Sequence, residues 1–190
     1  GEKPTTHIAI VEDISIKKEA KEQIRKSEAR FKSLFEDSPI ALWEEDFSEV
    51  KTYLETLGLV GEKTKNVLEY FNGHPEVVKK CISLVKIIDV NNECVNLNFP
   101  KTKAEILNGS LSQLMDEDFI KAFVKQLVAI TSGSNVIAMD TRIKKGNSFS
   151  HVHLRWGVMR GYEQTLERVI VHTEDITEQK ESQRLISNSQ

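Results

Sequence analysis

Residues 170–181 read IVHTEDITEQKE, and residues 8–19 read IAIVEDISIKKE. Glu12/Glu174, Asp13/Asp175, Ile14/Ile176, Lys18/Lys180 and Glu19/Glu181 are identical between the two, and Ser15 answers to Thr177. In the second copy Val169, Ile170 and Val171 form a β-branched run that suits a strand. Asp175 follows, a residue whose carboxylate accepts the free N–H groups of a helix's first turn, and Glu178 stands three residues on, as in a capping box. The phrase therefore reads as a strand that ends and a helix that begins with almost no loop. Its recurrence at so long a spacing suggests tandem domains with one complete copy between the two phrases. Residues 1–15 are then the tail of a preceding domain, 16–36 a connector helix, 37–177 the complete domain, and 178–190 the start of an exit helix.

Working back from the closing phrase, three strands are expected at about 135–144, 148–160 and 166–175, with Lys145-Gly146-Asn147 turning the first hairpin. Residues 116–131 predict a helix: Asp116, Glu117 and Asp118 load its N-terminus with negative charge, and Phe119, Phe123, Leu127 and Ile130 recur at helical spacing. Short helices are expected at 92–98, 101–107 and 110–115, and a strand over 84–90. Upstream lie helical pieces at 49–58, 64–71 and 75–82, the last with Pro75 at its first turn. Ser38-Pro39 ends the connector helix, and IALWEEDFS supplies the first strand. The expected fold is α+β: an antiparallel sheet of about five strands, covered on one face by helices, with a connector helix at each end.

The motifs SEARFKSLFEDSPIALWEEDFS (27–48), KIIDVNNECVNL (86–97), IKKGNSF (143–149) and EDIT (174–177) resemble those of PAS (Per-Arnt-Sim) sensory domains. The resemblance covers roughly 27–178. It implies a sensory or regulatory module of a multidomain signalling protein, typically a sensor histidine kinase. It also implies signal relay through Asp13 in the first phrase and Asp175, Ile176 and Thr177 in the second. The segment at about 49–83 is longer than the usual link between the first two strands and reads as a helical insertion. No glycine-rich ATP-binding motif or phosphoacceptor region occurs, so a kinase core would lie outside these residues. The implied partners are a second copy of the chain, the adjoining PAS and output domains, and a small apolar ligand. A ligand-free dimerisation or spacer module is the alternative. A thin heptad seam in the connector helix (Ala20, Ile24, Ser27, Phe31, Leu34) suits pairing with a second copy.

Composition narrows the rest. A net charge of −3 without a basic stripe gives no reason to expect nucleic acid. No apolar run is long enough to span a bilayer, so no membrane contact by this segment is expected, although a parent chain could be anchored elsewhere. The two cysteines, Cys81 and Cys94, are not in a Cys-x-x-Cys pair and read as reduced thiols of a cytoplasmic protein. Alternation places Val152, Leu154, Trp156 and Val158 on the helix-covered face of their strand, and His151, His153 and Arg155 on the other. Likewise Ile137, Met139 and Ile143 share one face of the preceding strand. The two histidines lack an obvious third ligand, so no metal is expected.

Haem-binding relatives carry an axial His on the helix at 116–131, which has none here. Flavin-binding relatives carry an Asn-Cys-Arg-Phe-Leu-like segment, absent here. Both cofactors are disfavoured, and no other is indicated. Trp43, Ile87, Leu97, Phe99, Leu107, Leu114, Phe119, Phe123, Leu127, Leu154 and Trp156 are the candidate pocket residues. They either fill the core or surround a small ligand, filling being the more ordinary outcome. No nucleophile–base pair, metal triad or phosphate loop marks an enzyme.

Overall fold

The structure, a computed structural model, describes residues 12–61, 66–96, 101–145 and 148–187. It divides into two compact units, Gly1–Asp37 and Ser38–Gln190.

Among its described residues the first unit holds one helix, α1 (Glu12–Glu36). It starts four residues before the expected connector, and Asp13 lies inside it rather than at its cap. No described strand pairs with Glu12 or Asp13. The strand expected before them, at IAIV, lies outside the described residues. Ile24, Phe31 and Leu34 of the heptad seam are exposed, and the Phe31 and Phe35 rings stack at 6.5 Å.

The second unit is built on a five-stranded antiparallel sheet of β1 (Ala41–Asp46), β2 (Lys86–Val90), β3 (Val136–Lys145), β4 (Ser148–Val158) and β5 (Val169–Asp175). The strand order is β2-β1-β5-β4-β3. β1 pairs with β5 far along the chain, Trp43 opposite Val171, while β3 and β4 form a hairpin that pairs from Val136↔Gly157 to Lys145↔Ser148. Gly146 and Asn147 of the expected turn lie outside the described residues.

Helices α2 (Ser48–Thr56), α3 (Val67–Gly73) and α4 (Pro75–Leu84) occupy the segment read as an insertion. They supply Val50, Leu54, Phe71, Val77, Val78, Cys81 and Ile82 to the single hydrophobic core, so the segment is part of the domain's interior. After β2 come α5 (Asn92–Asn96), α6 (Lys103–Leu107), a 3-10 turn at Leu111–Leu114, and α7 (Glu117–Thr131). α6 starts at a full capping box between Thr102 and Glu105. In α7 the Asp116 carboxylate accepts the Phe119 N–H at 2.7 Å, with Glu117 and Asp118 in the first turn where the helix dipole favours them.

An aromatic column joins the layers. Trp156 meets Phe47 edge-on at 5.7 Å, Phe47 stacks on Phe123 at 6.1 Å, and Phe123 on Phe119 at 6.1 Å. In the β4–β5 loop Leu166 takes a left-handed φ of 56°. Its buried side chain and its carbonyl, which accepts the Phe47 N–H at 2.8 Å, hold it there. The last helix, α8 (Thr177–Ser187), leaves from the end of β5. No helix among the described residues is long and apolar enough to cross a membrane.

Candidate functional site: an apolar cavity with a buried acid

Between α7, the 3-10 turn, α5 and the covered sheet face lies a cavity of about 480 Å³. Two periodicities build its walls. Along the strands every second residue faces it: Ala41, Trp43 and Glu45 of β1, Val152 and Leu154 of β4, and Val171, Thr173 and Asp175 of β5. On α7 it is lined by Phe119, Ala122, Phe123 and Gln126, spaced three, four and seven residues from the first. Leu111, Leu114, Met115, Ile143 and Cys94 add to the apolar wall, while Asp116, Thr141, Arg142, Lys144 and Ser150 join Asp175 at the rim.

Glu45 is the unusual member. It is only 4% exposed, and burial pushes its carboxyl up to about 8. Its side chain makes no hydrogen bond or ion pair with any described residue. Its neighbours on β1 are both satisfied. Glu44 accepts from Arg168 Nη1 at 2.8 Å, and Asp46 accepts the Ser48 N–H at 2.8 Å. Gln126 is 6% exposed and likewise has no hydrogen-bond partner among the described residues. Cys94 donates its thiol to the Leu42 carbonyl at 3.0 Å, and burial pushes it up to about 12, so it is an inert thiol. Behind it the fully buried Asn91 clips β1 to α5. Its Oδ1 accepts the Leu42 N–H at 2.9 Å and the Cys94 N–H at 3.2 Å, and its Nδ2 donates to the Ile40 carbonyl at 2.8 Å.

At the rim, Asp175 anchors α8. Its Oδ1 accepts the Thr177 N–H at 2.9 Å and the Thr177 hydroxyl at 2.5 Å. The capping partner is thus Thr177, where the sequence suggested Glu178. Thr177 Oγ1 in turn accepts the His151 N–H at 2.9 Å, and the Ile176 N–H donates to the His151 carbonyl at 2.8 Å. So Asp175, Ile176 and Thr177 stitch the strand-to-helix junction onto β4. On the uncovered face, Asp140 joins His153 Nδ1 at 2.9 Å and Lys180 Nζ at 2.6 Å. His153, followed by Lys180, holds the Asp140 carboxyl below the usual carboxylate range. His153 thus has a carboxylate neighbour, from the adjacent strand, that sequence proximity could not reveal. Among the described residues no group of three His, Cys, Asp or Glu side chains is placed to hold a metal ion.

Of the candidate pocket residues, Trp43, Leu114, Phe119, Phe123 and Leu154 line the cavity. Leu127 and Trp156 do not: both are fully buried in the core beside it. On α7, residues spaced by four drift roughly 40° per step around a helix of 3.6 residues per turn, so the 119–123–127 stripe turns away and Gln126 takes its place. Trp156 is sealed off by Phe47, which the sequence reading did not include. Ile87 packs half-buried on the core from β2, and Leu107 is half-buried on α6; neither lines the cavity. Leu97 and Phe99 lie outside the described residues. Asp13 lies within α1, and its side chain is likewise not described. Among the lining residues outside the candidate set are the small and aliphatic Ala41, Leu111, Ala122, Val152 and Val171 and the buried polar Glu45 and Gln126. The signal for Glu45 was present: strict alternation from Ala41 through Trp43 carries it to the cavity face.

The sequence matches no protein-family model and no curated protein. Among solved structures, the chain is similar to a PAS domain from Colwellia psychrerythraea, at 12% identity over 82% of this chain and 98% of that one, with a TM-score of 0.50. It is also similar to the PAS domain of an HTR-like protein from Haloarcula marismortui, at 15% identity over 84% and 99%, with a TM-score of 0.49. A third is a sensory box histidine kinase/response regulator from Burkholderia thailandensis, at 10% identity over 84% and 94%, with a TM-score of 0.45. With its five-stranded antiparallel sheet, its helical cover and its likeness to the Colwellia domain, the chain has the fold of a PAS domain.

Proposed function

We propose that this chain is a sensory module that takes a small molecule into the cavity and passes the occupied state to a downstream output domain through α8. The observation that carries the reading is that Asp175 both lines the cavity rim and anchors the first turn of α8. A ligand that favours one arrangement of the rim would bias the junction, and the shift is limited by its difference in affinity for the two states. The module is regulatory rather than catalytic. A sensor histidine kinase is the parent that the closing motif fits best, with its catalytic core beyond these residues. Residues 1–15 then end a preceding PAS domain.

A second reading, a ligand-free dimerisation module, draws on the exposed Ile24, Phe31 and Leu34 of α1. Native mass spectrometry of freshly purified protein separates the two. A co-purifying small mass supports the sensor, whereas an empty dimer supports the spacer. In the full-length parent, Asp175→Ala should uncouple output from signal. Unchanged output across the signal range would sink the relay.

A further inference from the structure

Glu45 stands at the inner end of the cavity. The strand register orders the covered face into rows running inward from the rim. Asp175, Val152 and Thr141 form the rim row; Ala41, Thr173 and Leu154 come next, then Trp43, Val171 and Trp156, and last Glu45, Val169 and Val158. The charged residues of the lining other than Glu45, namely Asp116, Arg142, Lys144 and Asp175, belong to the rim end. Arg142 is engaged there by Asp118 at 2.9 Å.

We propose that the cavity's ligand is a protonated amine carried on an apolar body, with Glu45 as the carboxylate that holds the ammonium group. The proposal rests on the reading that the cavity takes up a small molecule. A buried acid without a partner costs folding free energy, and the fold gives Glu45 no structural duty in return: its side chain caps nothing and bridges nothing among the described residues. An ammonium group supplies the missing opposite charge. Gln126, also buried and unpartnered, offers a carbonyl oxygen as a second acceptor. Trp43, Phe119, Phe123 and Leu154 would cover the apolar body.

An anionic ligand could take a hydrogen bond from the protonated acid, but it would find no cation among the described residues of the inner end to balance its charge. A neutral alcohol or amide could take a hydrogen bond from the protonated acid but would leave the site without a use for an ionisable group. Proton balance distinguishes these cases. Below about pH 8 the free Glu45 carries its proton, and the bound ammonium requires the carboxylate, so binding releases one proton to solvent. Cys94, the titratable neighbour from α5, stays a neutral thiol throughout this range.

The test is isothermal titration of the whole chain with 2-phenylethylamine, 2-phenylethanol and phenylacetate, in two buffers of different protonation enthalpy. The expected result is at least thirtyfold preference for the amine and release of about one proton at pH 7. Amine affinity should rise about tenfold per pH unit between pH 6 and 7 and level off above pH 8. Glu45→Gln should lose the thirtyfold preference and the pH dependence. Thr141→Phe, at the rim on an edge strand, should weaken all binding without touching the acid. Equal binding of amine and alcohol, preference for phenylacetate, or undiminished amine binding by Glu45→Gln would overturn the proposal. Binding of the alcohol alone, blocked by Thr141→Phe, overturns the amine but leaves the sensor reading standing. Failure of all three probes to bind counts against both.

Discussion

At the scale of single residues, two buried polar side chains do opposite things. Asn91 is fully buried and satisfied on every side, joining Ile40, Leu42 and Cys94. Asn91→Ala would strand the N–H groups of Leu42 and Cys94 and the carbonyl of Ile40, at a cost of roughly 2–4 kcal/mol. Urea unfolding should record that loss as a lower midpoint with an unchanged slope. Glu45 is buried and unsatisfied, and its carboxyl is raised from 4.5 to about 8. Between those values the folded chain holds one proton more than the unfolded chain. Wild-type stability should therefore fall as pH rises from about 4.5 to about 8 and change no further above that. Glu45→Gln removes this slope. The variant should match the wild type near pH 4.5 and exceed it at pH 8 by on the order of 4 kcal/mol. Parallel thermal melts of the two proteins across this range, with equal slopes, would contradict the burial assigned to Glu45.

At the scale of elements, the sequence was most legible where local chemistry is decisive. Asp116, the acidic first turn and the apolar stripe define α7, and Pro75 marks the start of α4. β-branched runs mark β2 and β5. Alternation sorted β3 and β4 into faces, and Val152, Leu154 and Trp156 are indeed buried while His151 and Arg155 are exposed. Less legible was any feature set by contacts across the sequence. The aspartate of the repeated phrase sits inside a helix at Asp13 but ends a strand at Asp175, where pairing with β4 holds it. That dependence gives the exit junction a test. Thr177→Val keeps the side chain's shape but removes the hydroxyl that accepts the His151 N–H and donates to Asp175. Hydrogen exchange at His151 and in the first turn of α8 should speed up at least tenfold, while the core amides of β1 and β5 keep their protection. Equal acceleration everywhere would mean that the substitution loosened the whole domain instead of its exit.

At the scale of the molecule, the sheet order was beyond local reading, because β1 finds its two neighbours in β2 and in the distant β5. The cavity is a consequence of that closure: strands from both ends of the chain and a helix from its middle must meet before its walls exist. The heptad seam of α1 is different, since its periodicity is local and its apolar residues stand exposed, Phe31 at 57% and Leu34 at 66%. A lone amphipathic helix gains little from such a stripe in water, whereas two copies aligned side by side would cover it. If the module signals as a pair, the seam is where pairing is strongest. Phe31→Glu together with Leu34→Glu should then raise the dimer dissociation constant at least tenfold in analytical ultracentrifugation. The melting temperature of the sheet-bearing unit should be unchanged, because neither residue belongs to its core cluster. A dimer that survives both substitutions undiminished would move the pairing surface off α1 and onto the second unit, where the exposed ends of β3 and β4 at Ile143 and Phe149 are the next apolar surface to probe.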